Sequence, residues 1–267
     1  MNTDLNRIRR DGWTVIEGVI PEDEVNAIRD HVWHSTGTHG RAKAAKEGIG
    51  HVPGFIRYDQ SLAPYLADAR LMAILEALLG SFVKVSYVSA TINRRGNPRG
   101  RWHADWPFNQ INASHVLAPY PDAVMHLTTL WMLSPFTHEN GGTLIVPGSH
   151  RWSNNPTGNI DVDPLAPYST EMNATGPAGS VLVLDSRIWH ATAPNQSQED
   201  RVSVVVRYAP WWLNTRVLMP GSEERKMMVD ETGLTDNDQE PVPRQVYEEL
   251  PENAKPLFRH WISEEKK

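Results

Sequence analysis

Between Phe82 and Tyr208 the chain is written in short β-rich runs broken by Gly, Pro and Asn, and this grammar constrains the fold more than any other feature. The runs are 82–92 (FVKVSYVSATI), 127–133 (LTTLWML), 142–148 (GTLIVPG), 179–185 (GSVLVLD) and 201–208 (RVSVVVRY). In the last, strict alternation puts Val202, Val204, Val206 and Tyr208 on one face and Arg201, Ser203, Val205 and Arg207 on the other. If the valine face packs on the protein body, both guanidinium groups point into the mouth of a barrel, where they need anionic partners. The pattern predicts a mainly β chain with a double-stranded β-helix (jelly-roll or cupin-like) core and flanking α-helices.

One helix is predicted from Pro21 to Ser35, where Pro precedes an acidic first turn and Val25, Ile28 and Val32 fall at helical spacing. A second is predicted from Pro64 to Leu79, closed by Gly80. A short strand is expected within 12–19, and short helices near the C-terminus that pack Val246, Tyr247, Leu257 and Trp261. The 267 residues read as a single domain: N-terminal helices and strand over 1–81, jelly-roll core over 82–210, and a C-terminal extension over 211–267.

The absence of cysteine excludes disulfides, thiol nucleophiles, Cys-ligated zinc and iron–sulfur clusters, so any metal must sit on His and carboxylate. With 26 Lys+Arg against 32 Asp+Glu there is no basic face for nucleic acid, and no run is apolar enough to span a bilayer. A small-molecule substrate and a cytoplasmic location are the expectations, since no export signal is visible at the N-terminus.

His103-Ala104-Asp105 is the chain's single HxD triplet, set between Trp102 and Trp106 just past a strand. Residues i and i+2 of extended chain project to one side, so both side chains can reach one ion. His190, in the sequence Ile188-Trp189-His190-Ala191-Thr192, follows another strand. Two imidazoles and one carboxylate make the facial triad that leaves three positions open on Fe(II). Arg201, eleven residues past His190 and on the inward face, is best explained as a bidentate carboxylate clamp.

These residues, with Leu130-Trp131-Met132-Leu133 and the stretch 139–151 (ENGGTLIVPGSHR), closely resemble the phytanoyl-CoA dioxygenase family of Fe(II)- and 2-oxoglutarate-dependent oxygenases. Arg10-Asp11-Gly12-Trp13 extends the likeness to about residues 8–210. The resemblance implies that His103, Asp105 and His190 are the catalytic metal ligands. It implies that Arg201 and Thr192 hold the distal carboxylate of 2-oxoglutarate, and that Trp131 lies near the cosubstrate. The cofactors implied are Fe(II), 2-oxoglutarate and O2. The reaction would hydroxylate a small organic metabolite and release succinate and CO2. Related halogenases carry a small residue at the position of Asp105, so its presence points to hydroxylation. Ala104 departs from the polar residue frequent there. Asn93, inward with Tyr87, Ser89 and Thr91 if that strand alternates, is the candidate donor to the 1-carboxylate.

Arg207 is assigned an anionic substrate group or a buried acid, and His150 a structural role. Substrate contacts are expected from variable segments: 35–58, with His39, Arg41, Lys43, Lys46, His51 and Arg57; 106–125, with Trp106 and Phe108; and 152–176. Four of the ten tryptophans, Trp102, Trp106, Trp131 and Trp189, fall within these motifs and predict an apolar wall around the metal. A cupin-like metal enzyme that does not use 2-oxoglutarate, and a non-catalytic small-molecule-binding jelly roll, remain as alternatives.

Overall fold

The computed structural model describes residues 2–40, 49–106, 119–156, 161–233 and 237–263. The strands are β1 (Trp13–Ile16), β2 (Ile49–Pro53), β3 (Lys84–Asn93), β4 (Leu127–Met132), β5 (Leu144–Ile145), β6 (Met172–Asn173), β7 (Val181–Asp185), β8 (His190–Ala191) and β9 (Arg201–Ala209). Six form one sheet in the order β1-β7-β4-β9-β3-β2, and three form a second in the order β6-β5-β8. Every pairing is antiparallel, as expected of a jelly roll.

The two faces of the large sheet obey the alternation of β9. Val202, Val204, Val206 and Tyr208 enter a core shared with helices α1 (Asn2–Asp11), α2 (Glu22–His39) and α3 (Ala69–Leu79). Arg201, Ser203, Val205 and Arg207 face the other way, into a cavity. Between the sheets, Trp13, Leu130, Met132, Phe136, Ile145, Leu182, Leu184 and Ile188 make a second apolar cluster. Leu130 of this cluster also lines a cavity of about 230 Å³, into which the inward groups of β9 project.

Two boundaries and one helix differ from the sequence reading for local reasons, and α2 runs on to His39, four residues past the expected Ser35. Helix α3 starts at Ala69 because the Asp68 carboxylate accepts the Arg70 and Leu71 N–H groups and caps the helix there. The run 142–148 contracts to Leu144–Ile145, because a Cβ on Gly142 would lie 2.8 Å from the Thr137 carbonyl and Gly148 turns with φ +83°. Helix α1 has no counterpart in the sequence reading: it buries only Leu5 and Ile8, too short an apolar signal to read. At the C-terminal end Leu250, Leu257 and Phe258 join the main core, and Trp261 packs with Trp106 and Val217.

Candidate metal centre

An isolated β-bridge carries two of the candidate ligands. His103 N donates to His190 O at 3.0 Å and His190 N donates to His103 O at 2.9 Å, which brings the rings to 4.2 Å between centroids. Asp105 and Trp106 then donate their N–H groups to Ser186 O, at 2.7 and 3.1 Å, fixing the turn that delivers Asp105 to the same point. His103 Nε2 lies 3.9 Å from Asp105 Oδ1 and His190 Nε2 lies 3.6 Å from Asp105 Oδ2. One ligand atom from each residue falls within 4.8 Å of the others, the only such group of three among the described residues.

Both imidazoles are arranged to offer Nε2. Each Nδ1 is 3.0 Å from a main-chain carbonyl two residues back, Arg101 O for His103 and Ile188 O for His190, so Nδ1 carries the proton and Nε2 the lone pair. Burial lowers the His190 pKa to about 4, with the neighbouring His103 adding to the effect, so the ring is neutral at pH 7. Burial alone would raise the Asp105 carboxyl. The Arg207 guanidinium, His190, His103 and the Thr128 hydroxyl outweigh it and hold the group well below the usual carboxylate range. A buried carboxylate beside two imidazoles that present Nε2 suits a divalent cation with borderline or hard character, and iron(II) fits the donor set.

The other end of the cavity is a buried cation. Arg201 is 2% exposed and donates from Nη1 to Gly141 O at 2.7 Å, with Thr143 Oγ1 at 3.4 Å. Its Nε has no hydrogen-bond partner, and no carboxylate among the described residues is in ion-pair range. Burial lowers its pKa to about 10, which leaves it charged at neutral pH. Thr192 and Thr143 line the same cavity. A desolvated guanidinium without a counter-charge is costly unless an anion arrives.

Geometry also explains the two loop motifs. Gly141, at φ +80°, has no room for a side chain: a Cβ would sit 2.4 Å from Asn93 Nδ2 and 2.6 Å from Ala193 O. That close approach turns its carbonyl onto Arg201. In the 147–151 turn, Ser149 Oγ accepts the Trp189 N–H at 2.8 Å and so anchors the residue before His190. His150 is structural, buried against Gly12 with Nε2 near Arg9 O.

Three site assignments and one wall need correction, and Arg207 meets the second of its two expected partners, a buried acid. Arg207 is not free for substrate; its Nη2 pairs with Asp105 Oδ1 at 2.5 Å, because Thr128, Arg207 and Tyr87 are cross-strand partners directly beneath that carboxylate. Asn93 does not reach the cavity. Its amide donates to Ala193 O and accepts from Asn97, and its strand has by then passed the pocket. Trp131 sits on the face of β4 opposite Leu130, in the main core, with Nε1 donating to Thr129 Oγ1. Trp106 packs against Val217, Leu218 and Trp261, away from the cavity lining. The four tryptophans divide among three clusters and none lines the cavity, whose apolar contacts are Tyr87, Leu130, Ala191 and Val205. Phe108, Arg41, Lys43 and Lys46 lie outside the described residues.

Thr128, Ser186, His126, Thr143 and Asn237 are site residues that the sequence reading missed. Thr128 had a readable signal, since alternation along β4 places it with Leu130 on the inner face. The others are brought in by loops.

Two buried histidines predict acid sensitivity of the metal-free protein. His126, hemmed in by burial and by Arg207, falls to about 3, and His190 to about 4. Their folded pKa values lie below the unfolded one, so the unfolded state takes up protons first and stability falls as pH drops. The loss begins near the unfolded value of about 6.5 and continues toward the folded values, at up to about 1.4 kcal/mol per pH unit for each ring. Urea midpoints should be flat above about pH 7 and drop clearly by pH 5. A flat profile across that interval contradicts neutral burial of both rings.

Comparison with known proteins places this site in context. The sequence profile described as phytanoyl-CoA dioxygenase matches residues 8–203. Dioxygenase af480 of Aspergillus fumigatus is 28% identical over 218 residues, covering 75% of this chain and 64% of the relative. The iron/alpha-ketoglutarate-dependent dioxygenase ausO of Aspergillus calidoustus is 28% identical over 199 residues, covering 68% of this chain and 62% of the relative. The chain therefore spans less than two thirds of the length of either protein. HygX from Streptomyces hygroscopicus, solved with nickel and 2-oxoglutarate bound, has the same fold, with a TM-score of 0.62 at 16% identity over 80% of this chain and 89% of that one.

Proposed function

The chain belongs to the phytanoyl-CoA dioxygenase family of iron- and 2-oxoglutarate-dependent oxygenases, and on that footing we propose that it hydroxylates a small organic molecule, releasing succinate and CO2. The observation that carries this reading is the pairing, in one cavity, of the His103–Asp105–His190 cluster with the uncompensated cation of Arg201. When bound, iron(II) and 2-oxoglutarate supply the power to activate O2, splitting the keto acid and passing one oxygen atom to substrate.

The protein's own residues do the holding and the excluding. His103 and His190 present Nε2 lone pairs to the metal, and Arg207 and Thr128 keep Asp105 ionised and oriented. Arg201, helped by Thr192 and Thr143, takes the distal carboxylate of 2-oxoglutarate. Thr192 lies two residues beyond His190, about 7 Å of extended chain, which suits a five-carbon dicarboxylate reaching from the metal to the clamp. Leu130 and Val205 add apolar surface to the cavity lining. The mouth is left to His51, Tyr87 and Asn237, with the Tyr87 hydroxyl 3.2 Å from His51 Nε2. Arg207 is paired with Asp105, and the polar side chains of His51, Tyr87 and Asn237 at the described part of the mouth suit an oxygenated substrate.

Adding Fe(II) and then 2-oxoglutarate without oxygen should produce a visible metal-to-ligand charge-transfer band, weakened in His190→Ala. Its absence from the wild type would sink the cosubstrate assignment. Succinate release screened against metabolite pools then addresses the substrate.

A further inference from the structure

Beneath Asp105 a ring of close polar contacts runs through buried side chains, hydrogen-bonded from Ser86 round to Asp105. Thr128 Oγ1 donates to Asp105 Oδ2 at 2.7 Å and lies 2.8 Å from Ser186 Oγ. Ser186 Oγ lies 2.8 Å from His126 Nδ1, and His126 Nε2 lies 2.7 Å from Ser86 Oγ. Ser86 Oγ is also 3.2 Å from Arg207 O, and the Arg207 side chain returns to Asp105 Oδ1. The side-chain relay, Ser86, His126, Ser186 and Thr128, is 0 to 1% exposed, so water does not complete these contacts.

Proton counting gives the ring a direction. An ionised carboxylate only accepts, so the single Thr128 proton goes to Asp105. Thr128 must then accept from Ser186, which spends its own single proton there. Ser186 in turn must accept from His126 Nδ1, so that nitrogen carries hydrogen. Burial keeps the ring neutral, which leaves Nε2 bare to accept from Ser86. Ser86 has one proton and gives it to His126 rather than to the Arg207 carbonyl. Each hydroxyl has one orientation, and the last points at Asp105.

We infer that His126, Ser186 and Thr128 are positioning residues, a one-way hydroxyl–imidazole relay that locks the Thr128 proton onto Asp105 and so presents that carboxylate for metal binding. The inference rests on the reading of His103, Asp105 and His190 as the metal ligands. Backbone geometry supports the role of Ser186, whose carbonyl also accepts the Asp105 and Trp106 N–H groups and whose own N–H donates to His126 O. Outer partners of metal-bound carboxylates commonly contribute a factor of about 10 to 100 in affinity.

The test is Mn(II) titration of the purified, metal-free chain by calorimetry, with circular dichroism and thermal unfolding to confirm that each variant is folded. Thr128→Val and His126→Phe should each weaken Mn(II) binding about 10-fold. His126→Asn keeps an N–H near the position of Nδ1 and should stay within about 3-fold of wild type. The double variant Thr128→Val/His126→Phe should be no weaker than Thr128→Val alone, because His126 acts through Thr128. If His126→Phe does not fold, Ser186→Ala takes its place in the same cycle. A folded His126→Phe that binds Mn(II) like wild type, or effects that simply add, overturns the relay while leaving the metal site intact. Wild type that binds no Mn(II) overturns the metal reading and the relay's role with it. Independently of any metal, the 15N shifts of His126 should show a neutral ring protonated at Nδ1, and protonation at Nε2 would refute the proton order.

Discussion

Replacing Arg201 by methionine is expected to raise the dissociation constant for 2-oxoglutarate at least about 30-fold, while Mn(II) or Fe(II) affinity stays within about 3-fold of wild type. The guanidinium is 2% exposed and faces no protein carboxylate among the described residues, so the incoming dicarboxylate would be its counter-charge. Losing a buried, charge-assisted bidentate contact costs about 2 to 5 kcal/mol, and each 1.4 kcal/mol is tenfold in affinity. The same substitution should leave the ligand-free protein equally or more stable. A buried cation that faces no carboxylate, held by a hydrogen bond to Gly141 O and a cation–π contact with Phe136, is replaced by a side chain of similar volume that packs on the same ring and needs no counter-ion. Wild type, by contrast, should gain thermal stability steeply as 2-oxoglutarate is added to the metal-loaded protein. Calorimetry and unfolding curves with and without 2-oxoglutarate check both halves. A variant that binds 2-oxoglutarate normally refutes the clamp, and one that is much less stable without ligand refutes the account of Arg201 as an uncompensated charge.

Asp105→Ala is the second large effect, and here metal binding and folding both suffer. Metal affinity should fall below detection in a micromolar titration, because one of three ligands is gone. Stability should also drop, by about 3 to 5 kcal/mol, because Arg207 would be left buried opposite no charge. The double variant Asp105→Ala/Arg207→Met separates the two consequences: stability returns toward wild type and metal binding does not. If the double variant is as unstable as the single one, the Arg207–Asp105 pair is not what the loss of Asp105 breaks. If Asp105→Ala retains tight metal binding, the ligand set itself is wrong.

Most of what carries chemistry here is legible in the sequence because it lies on extended chain, where a period of two states which side chains share a face. The row Arg201, Ser203, Val205 and Arg207 is placed correctly by that rule alone, whereas Asp105 joins His103 through a turn held by Ser186 O. Alternation says which face a residue joins but not what it meets there. Arg207 is therefore correctly pointed inward, and of its two expected partners it meets the buried acid, Asp105. Trp131 and Trp106 are drawn toward the site by their nearness in sequence to metal and cosubstrate motifs, yet adjacent residues on a strand face opposite ways and a turn re-aims the residues beyond it. Asn93 continues the inward row of β3, but the cavity ends before it, a limit set by Gly141 and Ala193 from elsewhere in the chain.

Local chemistry thus determined the class of fold, the nitrogen and oxygen character of the metal ligands and the inward face of β9, since each depends on residues within a few positions of one another. Tertiary structure alone decided the partners: Arg207 with Asp105, Gly141 with Arg201, and His126 with Thr128 through Ser186. These contacts join residues 58 to 102 positions apart. The register of antiparallel strands that brings them together is set by the packing of whole faces, which no short stretch of sequence encodes.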